Sequence, residues 1–158
     1  MSEDPLEGVE IPDDLSGLTQ ERPPTVAVVV TQVAVAEALA AACSLAKVEV
    51  DAVPSPVGAL AVLRDPAAGE ETAGAVSRLL RQVPVVLLER REGKITATQW
   101  VGGAREKRLP AGLVLSGAPE VLEELLLGDL PASQVEGCVT SVGISRWKAM
   151  RMLSSYRR

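Results

Sequence analysis

Residues 25–31 (TVAVVVT) form an unbroken apolar, β-branched run with no polar residue at alternate positions. Such a run suits a strand covered on both faces, because a half-solvated strand alternates apolar with polar side chains. The chain is therefore expected to build a sheet flanked by helices. Residues 32–46 follow with strong helix formers, and only Gln32, Glu37 and Ser44 interrupt their apolar surface, so this helix is expected to be largely buried. There is no phenylalanine, and Trp100, Trp147 and Tyr156 are the only aromatics, so the shared core has to be aliphatic. With 158 residues, 47% of them apolar, a single domain can bury roughly two-thirds of its unfolded surface without a disulfide or metal.

Residues 47–53 (KVEVDAV) alternate cleanly and predict a half-buried strand. Pro54-Ser55-Pro56 turns the chain into a further strand over 57–64. Asp65 and Pro66 supply an N-cap and a first-turn proline for a helix over 67–82, with Leu79 and Leu80 toward the sheet and Arg78 and Arg81 outside. Residues 83–90 predict a strand, and Arg91-Glu92-Gly93 a hairpin turn into a strand over 94–101. The order is β-α-β-β-α-β, the ferredoxin-like split unit, with one added hairpin strand. Residues 102–110 (GGAREKRLP) are expected to form a charged loop, 113–115 a short strand, and 119–127 a helix stopped by Gly128. A last strand over 135–142 and a terminal helix over 145–156, capped by Ser145, complete the reading. The expected fold is α/β of the α+β type, a small, mostly antiparallel sheet flanked by helices, with residues 25–158 as one domain.

Charge is distributed unevenly along the chain. Residues 1–24 carry seven acids and one base, net −6, with no helical or strand period, and read as an acidic disordered tail. Its aliphatics Leu6, Val9, Ile11, Leu15 and Leu18 leave room for a partner-binding segment. Residues 25–142 carry fourteen acids and ten bases, net −4, whereas residues 143–158 carry five bases and no acid. An acidic body disfavours bulk nucleic-acid binding, so no binding of mixed-sequence oligonucleotides is expected at micromolar protein and low salt. The N-terminus lacks the basic-then-apolar order of a signal peptide, and the longest apolar stretch, 33–46, is too short to span a bilayer. A cytoplasmic, non-membrane protein is expected. Twelve arginines against four lysines, with abundant alanine and valine, fit a GC-rich bacterial coding sequence.

Histidine is absent altogether. Ser–His–Asp and Cys–His catalysis therefore cannot be built from this chain. Cys43 and Cys138 alone do not make a four-ligand zinc site, and Cys43 reads as inert core. No catalytic residue, metal site or cofactor is expected. The terminal segment places Ile144, Trp147, Met150 and one of Met152 or Leu153 on one side by i, i+3 spacing, with Arg146, Lys148 and Arg151 around them. The spacing predicts that Trp147 and Met150 pack on the core, while the cations offer contacts to a partner, to the acidic tail of the same chain or to an anion. Arg105, Lys107 and Arg108 make a second basic cluster, and Gly102-Gly103 before them offers backbone N–H groups to an anion. That segment matches neither G-x-x-x-x-G-K-[ST] nor G-x-G-x-x-G.

Residues 113–153 add one resemblance. Leu113-Val-Leu, the leucine-rich run ending at Gly128, then Pro131, Gly137, Gly143 and the final helix fall in the order of the C-terminal part of the sterol-carrier-protein-2-like fold. The resemblance implies an apolar-ligand cavity or a non-catalytic accessory domain. The functional expectation is a non-enzymatic module acting through a protein partner or self-association, because the hairpin leaves a sheet edge to be covered. An apolar-ligand carrier and an enzyme using Cys138, glutamates or arginines are the alternatives.

Overall fold

In the computed structural model, which describes residues 23–155, the apolar run becomes β1 (Val26–Val30) at the middle of one sheet. It is followed by α1 (Ala36–Leu45), β2 (Val50–Val53), β3 (Leu60–Leu63), α2 (Gly69–Leu80), β4 (Val85–Arg91), β5 (Lys94–Val101) and β6 (Ala104–Leu109). The chain closes with α3 (Ala111–Ser116), α4 (Glu120–Leu127), β7 (Val139–Thr140) and α5 (Arg146–Ser155). The acidic tail expected over 1–24 lies outside the described residues except for Pro23 and Pro24, as do residues 156–158.

The seven strands form one antiparallel sheet in the order β6-β5-β4-β1-β3-β2-β7. Its middle, β4-β1-β3-β2, is the split β-α-β-β-α-β unit that the element order predicts, an α+β architecture. Both faces of β1 are covered, as its composition requires. Ala27 and Val29 join Leu39, Cys43 and Val76 under α1 and α2. Val28 joins Leu88, Leu122, Leu125 and Leu126 under α4. The result is three layers, with helices on each side of the sheet.

Local sequence signals explain much of this. The Asp65 carboxylate accepts the Ala67 N–H at 3.1 Å, and Pro66 begins the short 3-10 turn that leads into α2. Glu92 and Gly93 adopt φ of 51° and 81°, the two-residue turn that joins β4 to β5. Gly128 ends α4 in the left-handed conformation, and Asp129 donates back to the Glu124 carbonyl at 3.1 Å. The Arg90 guanidinium then donates to the free Leu127 carbonyl at 2.9 Å, which ties this helix end to the sheet. In α3, Gly112 is exposed and a Cβ there meets nothing within 4 Å. Gly112→Ala is therefore expected to raise stability by up to about 1 kcal/mol, read as a higher urea midpoint.

Four expectations are corrected. Residues 102–110 are not a loop: Ala104–Leu109 is β6, the edge strand paired with β5. Residues 113–115 lie within helix α3, not a strand, because Pro110 starts a helix by accepting the Leu113 and Val114 N–H groups. Leu79 is exposed, and Thr72, Ala73, Val76 and half-buried Leu80 form the inner stripe of α2 instead. The last strand shrinks from 135–142 to Val139–Thr140. Two short or charged edges result. β7 has two residues, and Arg105, Glu106, Lys107 and Arg108 line β6, which disfavours strand pairing with another chain.

Candidate functional site

The C-terminal segment is fixed to the body by a chain of polar contacts. Ser141 donates its N–H to the Val50 carbonyl at 2.9 Å, and its hydroxyl bridges the Val48 carbonyl and the Val50 N–H, both at 2.9 Å. The Ser44 hydroxyl at the end of α1 donates to the Ile144 carbonyl at 2.8 Å. Ser145 then caps α5 as expected, its hydroxyl accepting the Lys148 N–H at 3.1 Å. Helix α5 thus lies along α1 with its position set by its own N-terminus.

The face by which α5 packs is not the expected one. Ala149 is fully buried, and Met152 and Leu153 are half-buried beside it, which makes the seam 149, 152, 153. Trp147 is 78% exposed and Met150 52% exposed. The reason is the composition of α1 (AEALAAACSL), whose alanines let a second helix approach closely. A small residue fits at the point of closest approach and an indole does not. Among the described residues, Trp147 is the most exposed of the large apolar side chains.

Beside Trp147 runs a cleft of about 270 Å³ lined by Ser44, Leu45, Lys47, Ile144, Arg146 and Met150. Leu45, Ile144 and Met150 give it an apolar part, and exposed Lys47 and Arg146 add two cations. Arg146, Lys148 and Arg151 are all exposed and form no ion pair with a described residue. The expected Arg146, Trp147, Lys148 and Arg151 are all exposed on α5, and of these Arg146 lines the cleft. Leu45 and Lys47 complete it, although their sequence positions, about a hundred residues away from α5, give no signal of the contact.

The second basic cluster is divided. Trp100 pairs with Arg105 and Gln99 with Lys107, so Glu106 is an extra residue in β6, a β-bulge. The bulge turns Arg105 and Arg108 to one face, opposite Trp100 and Thr98, and leaves Lys107 on the other with Gln99. Trp100 Nε1 donates to Thr98 Oγ1 at 3.1 Å, so those two share a face too. Arg105 approaches Glu70 at 3.7 Å with both side chains exposed, a pair of little energetic weight. The Gly102-Gly103 amides are a hairpin turn rather than an anion nest: φ is 60° and 93°, and the Gly103 N–H is taken by the Ser77 hydroxyl at 2.9 Å. Nearby, Lys47, Glu70, Glu71 and Arg78 meet along an open groove of about 470 Å³, with their charged ends in solvent.

Neither cysteine is activated. Burial pushes the Cys43 thiol from 9.0 up to about 12. Cys138 is raised as well, first by burial and then by the nearby Asp51 carboxylate, against a smaller lowering by Arg64. Asp51 in turn is held by the Arg64 guanidinium at 2.9 Å, which also reaches Thr140 Oγ1 at 3.1 Å across three strands. A thiol reagent is expected to modify Cys138 slowly in the folded protein and Cys43 only after unfolding. Because the folded pKa of Cys43 lies above its unfolded value, its contribution to stability is complete below about pH 9 and declines as pH rises toward 12. Denaturation midpoints measured across that window should fall more steeply for the wild type than for Cys43→Ala. Among the described residues, no group of three or more Cys, Asp or Glu side chains is arranged to hold a metal, and no helix is long and apolar enough to cross a membrane.

No protein-family model matches the chain, and no curated protein or solved structure matches it.

Proposed function

We propose that this protein is a non-enzymatic interaction module that docks a protein partner through the outer face of α5. The observation that carries the reading is the 78% exposure of Trp147, one turn from half-exposed Met150 and between Arg146, Lys148 and Arg151. Tryptophan, methionine and arginine are enriched in the centres of protein interfaces, where an indole commonly supplies a large share of the binding energy. The rigid attachment of α5 through Ser44, Ser141 and Ser145 presents that group in a fixed orientation, which limits the entropy lost on binding. Trp147→Glu is expected to abolish a specific complex recovered by the full chain, or self-association seen by sedimentation velocity, while leaving the unfolding midpoint nearly unchanged. Equal recovery and identical sedimentation for the two proteins would reject the docking face.

Apolar-ligand carriage is a second reading, supported by a different feature. Ile95, Leu115, Leu126 and Leu127, with Glu123 at their side, line a groove of about 290 Å³ between β5, α3 and α4. That volume lies near the lower end of the usual range for ligand sites, about 300 Å³. A fluorescent fatty acid that binds the wild type and not Leu115→Glu would support this reading, and no saturable binding would remove it.

A further inference from the structure

We infer that the cleft between the end of α1 and α5 is occupied, in the isolated chain, by residues 6–18 of the same chain. The inference rests on the docking face proposed above and names its occupant. Three observations lead to it. The first is charge. Residues 6–18 (LEGVEIPDDLSGL) carry four acids and no base. Lys47 and Arg146 line the cleft, Lys148 and Arg151 are exposed further round α5, and no ion pair joins the three α5 cations to a described residue.

The second is the apolar match. The segment spaces Leu6, Val9, Ile11, Leu15 and Leu18 among its acids. The cleft offers Leu45, Ile144 and Met150 as apolar lining and Lys47 and Arg146 as cations. An aliphatic side chain flanked by carboxylates satisfies both parts at once.

The third is where the chain enters the fold. Val26 pairs with Arg90, Val28 pairs with Val62, and Val50 pairs with Leu63, so the starts of β1 and β2 lie at one end of the sheet. The end of α1 lies there too, since Val48 donates to the Cys43 carbonyl two residues before β2 begins. Ser44 at that end holds Ile144, the entry to α5. Pro23 therefore emerges at the same end as the cleft. β1 and β2 are two strand spacings apart, about 10 Å, whereas the eight residues 15–22 span roughly 26 Å when extended. Residues 15–22 are long enough to cover that separation and the height of a helical layer, about 10 Å.

The consequence is competition. An external acidic, aliphatic segment would have to displace residues 6–18 to enter the cleft. The full chain can be tested with a nitroxide on Ser16→Cys in a Cys138→Ser background, and with a second label at Ser2→Cys in case the first perturbs docking. Cys43 is fully buried and needs no replacement. The expected result is that amide signals of 144–151 lose most of their intensity by paramagnetic relaxation. They should recover it in about 1 M salt, where the screening length is about 3 Å, and in the variant carrying Arg146→Glu, Lys148→Glu and Arg151→Glu. Full intensity at 144–151 with both labels would overturn the inference while leaving the docking face intact, because that face is judged separately by Trp147→Glu. A mixture of isotope-labelled chain with spin-labelled unlabelled chain gives the remaining distinction. Broadening that is as strong in the mixture as within one chain places the segment of a second copy in the cleft and overturns the intramolecular assignment.

Discussion

Gly58→Ala is expected to lower stability by about 3 kcal/mol or more, a large share of the roughly 5–15 kcal/mol that holds a domain of this kind together. Gly58 connects β2 to β3 at φ +128°, outside the range that residues with a Cβ adopt readily. A Cβ built there lies 2.3 Å from the Thr31 carbonyl oxygen and 3.1 Å from the Gln32 Cα. Both are backbone atoms, so no side chain can move aside. The Thr31 hydroxyl and N–H are also committed to the Ala59 carbonyl, at 2.7 and 3.2 Å, and shifting the loop breaks the β1–β3 junction. Gly93 is the contrast. Its φ is +81° but its Cβ position is open, so Gly93→Ala should cost only about 1–2 kcal/mol. Urea unfolding of the two variants separates them, and equal losses would show that the contact with Thr31 has little effect.

Leu88→Ala is expected to cost about 2–5 kcal/mol. Leu88 lies on β4 with no exposed surface, on the face covered by Leu122, Leu125 and Leu126 of α4. The layer that covers it is short, because α4 has eight residues and α3 six, so neither helix can collapse far into the space left behind. A loss below about 1 kcal/mol would place Leu88 at a solvated face and would contradict the second helical layer. The same unfolding curves report this result.

The centre of the fold is readable because its signals are local and agree with one another. Residues 25–31 show burial on both faces, Asp65-Pro66 begins a helix, Glu92-Gly93 turns a hairpin and Gly128 ends α4. β6 is hard to read because its charged residues resemble a loop. Gly102-Gly103 between Val101 and Ala104 is a two-residue hairpin signal, and the bulge at Glu106 breaks the alternation that would have revealed the strand. Leu113-Val-Leu is three apolar residues long, a length at which strand and helix cannot be told apart by period. For another reason, the exposure of Trp147 is not legible. Its own helix gives two possible seams, and the choice between them is made by the alanines of α1, about a hundred residues earlier. The basic residues of α5 were legible as a cluster, whereas the cleft beside them depends on Leu45 and Lys47, which only the tertiary fold brings there.

The central claim, that α5 is the face through which this protein binds its partner, can be tested by site-specific photo-crosslinking in the native cell. A benzophenone amino acid is placed at position 147 and, in a second protein, at position 113. Leu113 is a matched control because it is 72% exposed and lies on α3, on the opposite side of the sheet from α5. The account predicts a discrete covalent adduct from position 147, absent from position 113 and suppressed by Arg146→Glu with Arg151→Glu. An adduct from position 113 with none from position 147 would contradict it.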